Sequence, residues 1–313
     1  RKYGNAATQD LWASLEKISG KPVQKIMDTW TKQIGYPLIT ATTQENAIKL
    51  TQERYFLSGR KEDPTLWNIP LAITQGKKSL YHLMEKKVDS ISRTQEVTTI
   101  NTNQVGFYRL QYDQALFQEQ LQALQEKKVS TLDKIGLISN TFALAEARYA
   151  DMTTFLNLLQ YMRDEINYTL WSDIAGSVGQ LQMMFTNYPL TDDLDALIRW
   201  VFTNIYKKLG WEVKEQEEHP TTLLRITVLS MMGFSNDKAI QAEAQKRFKN
   251  YLKTKSINAN LRGVVYSLSA WTGNEETWNQ LKRLHELETL QEEKSRLLGA
   301  MCMFQQKDLL RKT

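Results

Sequence analysis

The stretch Asn103-Gln104-Val105-Gly106-Phe107-Tyr108-Arg109-Leu110-Gln111-Tyr112 marks the point at which the chain changes architecture. From Phe107 to Tyr112 the side chains alternate between two faces, and a period of two predicts a β-strand. Gly106 lies where a bulge or a close approach of the backbone would fit. The sequence before this stretch predicts a short helical segment followed by strands, and the sequence after it predicts helices.

The region 37–112 repeats the period of two in several short runs, among them 48–56 and 67–74. Turn-forming residues separate the runs at 44–46, 58–60 and 75–77. Six or seven short strands joined by such turns predict a small antiparallel β-sandwich. Pro70 lacks a backbone N–H, so we expect its strand to lie at the edge of a sheet.

The region 1–36 predicts two short helices ahead of the strands. Thr8 is placed to cap the first helix, and an apolar stripe runs from Leu11 to Ile18. Pro22 occupies the first turn of the second helix. A stripe of this kind is typical of a helix that packs on a core, and the side chains offer no evident chemistry.

The region 113–313 predicts helices throughout. Ser130 begins a capping-box-like segment, and Asp151 can cap a helix over 152–162. A further helix begins at Thr191 and ends at Gly210. The remaining predicted helices span 221–232, 236–252, 260–271, 275–287 and 291–304. Their lengths suit stacked helical hairpins, and because no strict repeat occurs we predict a solenoid-like (HEAT/ARM-like) domain.

The composition excludes several classes of protein. The net charge is +5 at pH 7, but the basic residues are dispersed among acidic ones, so no nucleic-acid partner is expected. No apolar run approaches the roughly 18 residues of a membrane span. Cys302 is the single cysteine, which rules out an internal disulfide, and its apolar neighbours predict a buried, inert thiol. The first residues carry neither an initiator Met nor a signal-peptide core, so we expect a piece of a longer chain.

The sequence lacks a recognisable catalytic motif. The three histidines are His82, His219 and His285, and the zinc motif His-Glu-x-x-His that His285 could begin has Thr289 in place of the second imidazole. Gly176-Ser177-Val178-Gly179 is not a nucleophile elbow. We therefore predict no catalytic residue and no metal ligand, and the residues alone indicate a β-sandwich joined to a helical interaction domain.

Several segments resemble the C-terminal portion of the M1-family zinc aminopeptidases. They include Gly4–Trp12, Met27–Leu38, Trp67–Leu71, Asn101–Tyr112, Leu132–Asn140, Asn167–Asp173, Leu209–Trp211, Gly273–Trp278 and Glu292–Leu298. The matches occur in the family's order along nearly the whole chain, and Asn167–Asp173 is most similar to the puromycin-sensitive, cytosolic branch. Lys134 and Asn140 depart from the family's commoner Arg and Asp.

This resemblance implies that 1–36 are the last helices of the thermolysin-like catalytic domain, 37–112 the β-sandwich and 113–313 an incomplete helical domain. The zinc ligands and catalytic groups of the family would lie upstream of residue 1. The parent enzyme would use zinc to remove N-terminal residues from peptides in the cytoplasm. This chain would bind no zinc. It would supply the spacer and the helical lid that closes over the upstream catalytic domain. Its partners would be that catalytic domain and the peptides.

Four residues are candidates for contacting the distal part of a peptide in the parent enzyme. They are Tyr168, Trp171, Arg225 and Arg262, since aromatic and cationic groups suit peptide backbones and carboxylates. The competing interpretation is that the aromatic rings are core and the arginines bridge helices. A stand-alone helical scaffold without peptidase activity is the alternative function, and a basic nucleic-acid binder is a more distant one.

Overall fold

The computed structural model describes residues 4–94 and 96–313. The chain divides into two compact units, of which the first ends at Tyr161 and the second spans Met162–Thr313. The change from strands to helices falls between Tyr112 and Asp113, within the first unit. No helix in the described part is both long and apolar enough to cross a membrane.

The first unit contains helices and strands in the predicted order. They are α1 (Thr8–Ser19), α2 (Val23–Thr31), β1 (Pro37–Thr43), β2 (Ala47–Arg54), β3 (Ile69–Gln75), β4 (Lys78–Met84), β5 (Val88–Ser92), β6 (Thr98–Ile100), β7 (Arg109–Tyr112), α3 (Gln114–Gln125), α4 (Thr131–Glu146) and α5 (Met152–Leu158). Short 3₁₀ turns follow β6 at Thr102–Gln104 and α5 at Leu159–Met162.

The strands form two sheets, in the orders β5-β2-β1-β7 and β4-β3-β6. Their inner faces share one core, in which Ile39, Leu50, Trp67 and Ile73 are almost fully buried. The predicted sandwich is thus present, but β7 runs parallel to β1, with Leu38 beside Arg109. The antiparallel expectation is wrong for this pair, because β7 enters the first sheet by a crossover from β6 of the other sheet.

Within the stretch 103–112, only Arg109–Tyr112 forms a strand. Asn101, Asn103 and Gln104 have left-handed backbone angles, with φ of 61°, 59° and 55°, and a strand cannot continue through such residues. Gly106 leaves little room for a side chain, as predicted, but the neighbouring group is a side chain rather than the backbone. A Cβ there would lie 2.3 Å from a ring carbon of Tyr108.

Pro70 lies in β3, which is the central strand of its sheet, so the expectation of an edge strand is wrong. The neighbouring strand β6 pairs only with Ile73–Gln75. At Pro70 the strand therefore pairs only with β4. Because β6 does not reach this position, the missing N–H of Pro70 costs no hydrogen bond between β3 and β6.

The stripe on α1 is exposed rather than buried. Leu11, Leu15 and Ile18 are 54%, 42% and 85% exposed among the described residues. The predicted Thr8 cap is also wrong: the helix begins at Thr8, and the N–H of Ala7 donates to the Asp10 carboxylate at 2.9 Å. The apolar pattern thus forms the helix, but no core among the described residues covers it.

The second unit is helical throughout its regular structure. Its helices are α6 (Tyr168–Met184), α7 (Thr191–Leu209), α8 (His219–Phe234), α9 (Lys238–Thr254), α10 (Arg262–Trp271), α11 (Glu275–Leu287), α12 (Gln291–Met301) and α13 (Lys307–Lys312). A 3₁₀ turn, Ala259–Leu261, leads into α10. Helices adjacent in the chain pack together, as α7 does with α8, α9 with α10 and α11 with α12. The predicted mainly helical C-terminal part is confirmed.

Local end signals explain some of the helix boundaries. Ser130 caps α4 by accepting the N–H of Asp133, as the sequence predicts. Asp151 precedes α5 but makes no side-chain cap, and the helix predicted over 152–162 tightens to a 3₁₀ turn after Leu158. Cys302 is exposed, contrary to expectation, because α12 ends at Met301 and the following core position is taken by Phe304.

Candidate functional site

Arg225 is one of the two predicted peptide contacts whose side chains are almost fully buried. Its side chain is 1% exposed, and its guanidinium forms an ion pair with Glu217, whose side chain is 6% exposed. It also donates to the carbonyls of Leu209 and Gly210, the latter at 2.9 Å. Arg225 therefore caps the C-terminal end of α7 and fixes the connection to α8.

Glu217 stays ionised in this enclosure. Burial disfavours the charge, but hydrogen bonds from Arg225 and Thr222 hold the pKa of the Glu217 carboxyl below its ordinary value. Two opposite charges buried side by side stabilise one another only while both are present. The pair is consequently a structural bridge between the end of α7 and α8, as the competing interpretation expects.

Trp171 lies in the helical core. It is fully buried, its ring centroid is 4.8 Å from that of Phe202, and its indole N–H donates to the carbonyl of Glu165 at 2.9 Å. Tyr168, the first residue of α6, is half-buried. The two aromatic candidates therefore belong to the same helix but differ in access to solvent.

Arg262 belongs to a cluster of charges around a buried carboxylate. Glu293 is 2% exposed and accepts a hydrogen bond from the hydroxyl of Tyr266 at 3.1 Å. Arg296 forms an ion pair with the same carboxylate, and the Arg262 Nη1 lies 3.6 Å from it. Burial, with the neighbouring Tyr251 and Glu293, raises the pKa of Tyr266, so its hydroxyl remains a donor.

A groove of about 360 Å³ opens beside this cluster. Arg296 is on its wall together with the small polar side chains Asn260, Ser230 and Ser267. Arg262 and Arg296 are each about 30% exposed, so both can meet a ligand from solvent. Arg296 was not among the candidates predicted from the sequence, although its spacing of three and four residues from Glu293 and Glu292 predicts ion pairing along one helix.

The four predicted residues thus fall into different places. Arg262 is at a solvent-accessible cluster, Tyr168 is partly accessible, and Trp171 and Arg225 have enclosed side chains. That these four residues contact a peptide stays a prediction. Arg262 and Tyr168 would contact a peptide directly, whereas Trp171 and Arg225 would act only by holding the helices in place.

Metal-binding groups do not converge within the described residues. No set of three or more His, Cys, Asp and Glu side chains there could hold a metal ion. His82 on β4 contacts the Asp89 carboxylate of β5 at 2.8 Å, so this histidine links the two sheets. His219 begins α8 and His285 lies in the last turn of α11.

A second feature that the sequence did not predict is a large cleft in the first unit. It has a volume of about 710 Å³ and lies among β6, β7, α3, α4 and α5. Its walls come from segments far apart in the sequence, such as Ile100, Leu121, Asn140 and Tyr161. Sequence periodicity describes each wall separately, which is why nothing predicted the cleft.

Comparison with known proteins gives one family. Residues 98–313 match the family model of the ERAP1-like C-terminal domain. The alanine/arginine aminopeptidase of Saccharomyces cerevisiae is 30% identical over 322 residues, covering 100% of this chain and 37% of the yeast protein. The glutamyl aminopeptidase of Homo sapiens is 31% identical over 331 residues, covering 99% and 34%. The chain therefore spans about a third of the length of these relatives.

Proposed function

The chain belongs to the family of the ERAP1-like C-terminal domain, the C-terminal portion of M1 aminopeptidases, and we propose that it is the non-catalytic part of such an enzyme. The parent enzyme would remove N-terminal residues from peptides. The supporting observation is the alignment itself, which runs along 96–100% of this chain but only 33–38% of each relative.

The zinc of the parent enzyme would be held outside this sequence. The described residues do not fit a zinc site, since no three of their His, Cys, Asp and Glu side chains lie close enough together to hold a metal ion. We therefore assign no step of the peptide hydrolysis to this chain. Its role would be to shape the space in which the peptide is held.

The proposed division of labour follows the order of the elements. Residues 1–36 would complete the catalytic domain, 37–112 would be a β-sandwich spacer, and 113–313 would form a lid of solenoid-like, HEAT/ARM-like stacked helices. A lid of this kind excludes water and folded proteins from a site and can bind the distal part of a peptide. The exposed stripe of α1 supports this proposal, because it offers an apolar surface to an upstream catalytic domain.

Peptides and the upstream catalytic domain are the proposed partners, and the cytoplasm is the proposed location. The aminopeptidase names of the yeast, plant and animal relatives support the substrate class. The dispersed basic residues give no reason to add a nucleic acid. Peptide contact is assigned to Tyr168 and Arg262 directly, and to Trp171 and Arg225 through the helices that they hold.

The test compares two polypeptides on a panel of aminoacyl fluorogenic amides with zinc added. One is this chain, and the other is extended upstream to the length of its relatives. We expect the chain to be silent and the extended polypeptide to be active and chelator-sensitive. Turnover by the chain alone, or a transcript with a start codon close to Arg1 and no upstream zinc motif, would overturn the proposal. The second result would favour the stand-alone scaffold.

A further inference from the structure

The large cleft of the first unit has the dimensions of a ligand site. Its volume of about 710 Å³ lies within the range of roughly 300–1,000 Å³ that is usual for small-molecule pockets. Strand β6 forms one wall with its outer edge, and β7, α3, α4 and α5 complete the enclosure. Apolar side chains such as Ile100, Leu110 and Leu137 lie between the polar ones.

The polar groups of the cleft are almost all uncharged. Eight of its lining residues are Asn or Gln, and none of them is Lys, Arg or His. The two lining carboxylates are already engaged in holding backbone. Asp113 accepts the N–H groups of Thr43 and Leu116 at 2.6 and 2.9 Å, and Asp133 accepts that of Asn103 at 2.7 Å. The cleft therefore offers neutral hydrogen-bonding groups and no cation that would attract an anion.

Three side chains of the lining are each held by one hydrogen bond that leaves a second polar group for other contacts. Gln120 donates to the Thr98 carbonyl at 2.9 Å, and the Tyr112 hydroxyl accepts the N–H of Ile100 at 2.9 Å. Asn140 accepts the N–H of Leu110 at 3.3 Å.

The groups that these three bonds do not use are the Gln120 Oε1, the Tyr112 hydroxyl hydrogen and the Asn140 Nδ2. Burial raises the pKa of Tyr112, which keeps the hydroxyl a donor. The cleft thus presents two donors and one acceptor whose positions are set before a ligand arrives.

We propose that this cleft is a binding site for an uncharged small molecule that carries both hydrogen-bond donors and acceptors beside an apolar face. Carboxamides pair equally well with amide and hydroxyl groups, so a blocked peptide amide and a neutral sugar share the required chemistry. An anion is excluded, since it would meet carboxylates and no basic side chain. This inference is independent of the peptide contacts assigned to the second unit.

The experiment measures binding to the whole chain by saturation-transfer NMR and calorimetry. The probes are N-acetyl-alanyl-alanine amide, maltose and inorganic phosphate, each up to about 10 mM. Asn140→Asp keeps the acceptor for Leu110 but replaces the free donor by a negative charge. Gln118→Trp fills the mouth of the cleft from an exposed position of α3, and Gln122→Trp, exposed on the same helix but outside the cleft, is the matched control.

We expect at least one neutral probe to bind and phosphate not to bind, and the probe that binds identifies the source of the ligand. Asn140→Asp and Gln118→Trp should each weaken binding about tenfold or more, while Gln122→Trp leaves it within about twofold. Because Gln118 and Gln122 are both exposed, a difference between their variants does not depend on the stability of the fold. No binding of either neutral probe, tighter binding of phosphate, or equal affinity in Gln118→Trp and Gln122→Trp would overturn the proposal.

Discussion

Replacing Arg225 by Met removes the guanidinium from the most enclosed ion pair of the second unit. Both side chains of the pair are almost fully buried, with exposures of 1% for Arg225 and 6% for Glu217. The change leaves the Glu217 carboxylate with Thr222 and backbone partners only, and it leaves the terminal carbonyls of α7 without their donor. Methionine fills much of the volume, so the loss is chiefly electrostatic.

The expected cost follows from leaving one charge of a buried pair alone. Such changes destabilise proteins by about 3–5 kcal/mol, which for a folded unit of the size of Met162–Thr313 lowers the Tm by about 6–20 °C. The double variant Arg225→Met with Glu217→Leu removes the orphaned charge as well. It should recover about 1–3 kcal/mol relative to Arg225→Met alone, because the two residues act as one unit.

The assay is urea unfolding, followed by circular dichroism and by tryptophan fluorescence. Wild type, both single variants and the double variant form a double-mutant cycle, with Arg283→Met on the surface of α11 as the control for loss of an arginine. A cost of less than about 1 kcal/mol for Arg225→Met, or a double variant whose loss equals the sum of the single losses, would refute the argument that the pair is a buried structural bridge.

The pH dependence of the same pair has a definite sign. The pKa of Glu217 is lowered in the folded chain relative to 4.5, its ordinary value, so the unfolded chain binds the proton more readily. The carboxylate therefore stabilises the fold fully above about pH 4.5, and this contribution disappears as the pH falls through the lowered pKa. Glu217→Gln should flatten the acid side of a stability–pH curve, and an unchanged curve would contradict this assignment.

Four further substitutions have clear expectations. Gly273→Ala puts a Cβ within 2.5 Å of the Ser269 backbone carbonyl and should cost about 1–3 kcal/mol. Gly176→Ala on α6 meets nothing within 4 Å and should gain about 0.5–1 kcal/mol. Urea midpoints that shift in opposite directions check the pair. Burial opposes the charge of Asp89, but hydrogen bonding to its imidazole partner lowers the pKa, so Asp89→Asn should reduce stability above about pH 4 and make no difference well below it, which acid titration of the fold measures. In the extended enzyme, Arg262→Gln should weaken turnover of long peptides more than that of dipeptide-like substrates, and equal effects on both would contradict a distal contact.

Local chemistry made most secondary structure predictable. Helix α7 begins at Thr191 and ends before Gly210, as its apolar spacing and end residues indicate, and α11 has the predicted bounds. The stretch 103–112 was predictable only in part. Its alternating residues do form β7, but Asn101, Asn103 and Gln104 adopt left-handed angles that tertiary contacts hold, including the hydrogen bond from the Asn103 N–H to Asp133.

Burial was less predictable than secondary structure. Leu11 and Ile18 have the spacing of a core stripe, yet they are exposed, and Cys302 sits in an apolar run but faces solvent. A periodic pattern states which face of an element is apolar, and it does not state what covers that face. For the same reason the cleft beside Asn140 left no mark in the sequence.

The sequence by itself determined the order of helices and strands, the change of architecture near Tyr112 and the family resemblance, because these depend on neighbours within a few residues of each other. Only the tertiary structure decided which polar groups are enclosed. Glu293 is a buried partner of Tyr266, and Arg225 is a buried partner of the α7 terminus. Both contacts form between separate helices. The energy of a buried charge depends on what surrounds it in space, and the sequence does not specify those surroundings until the chain has folded.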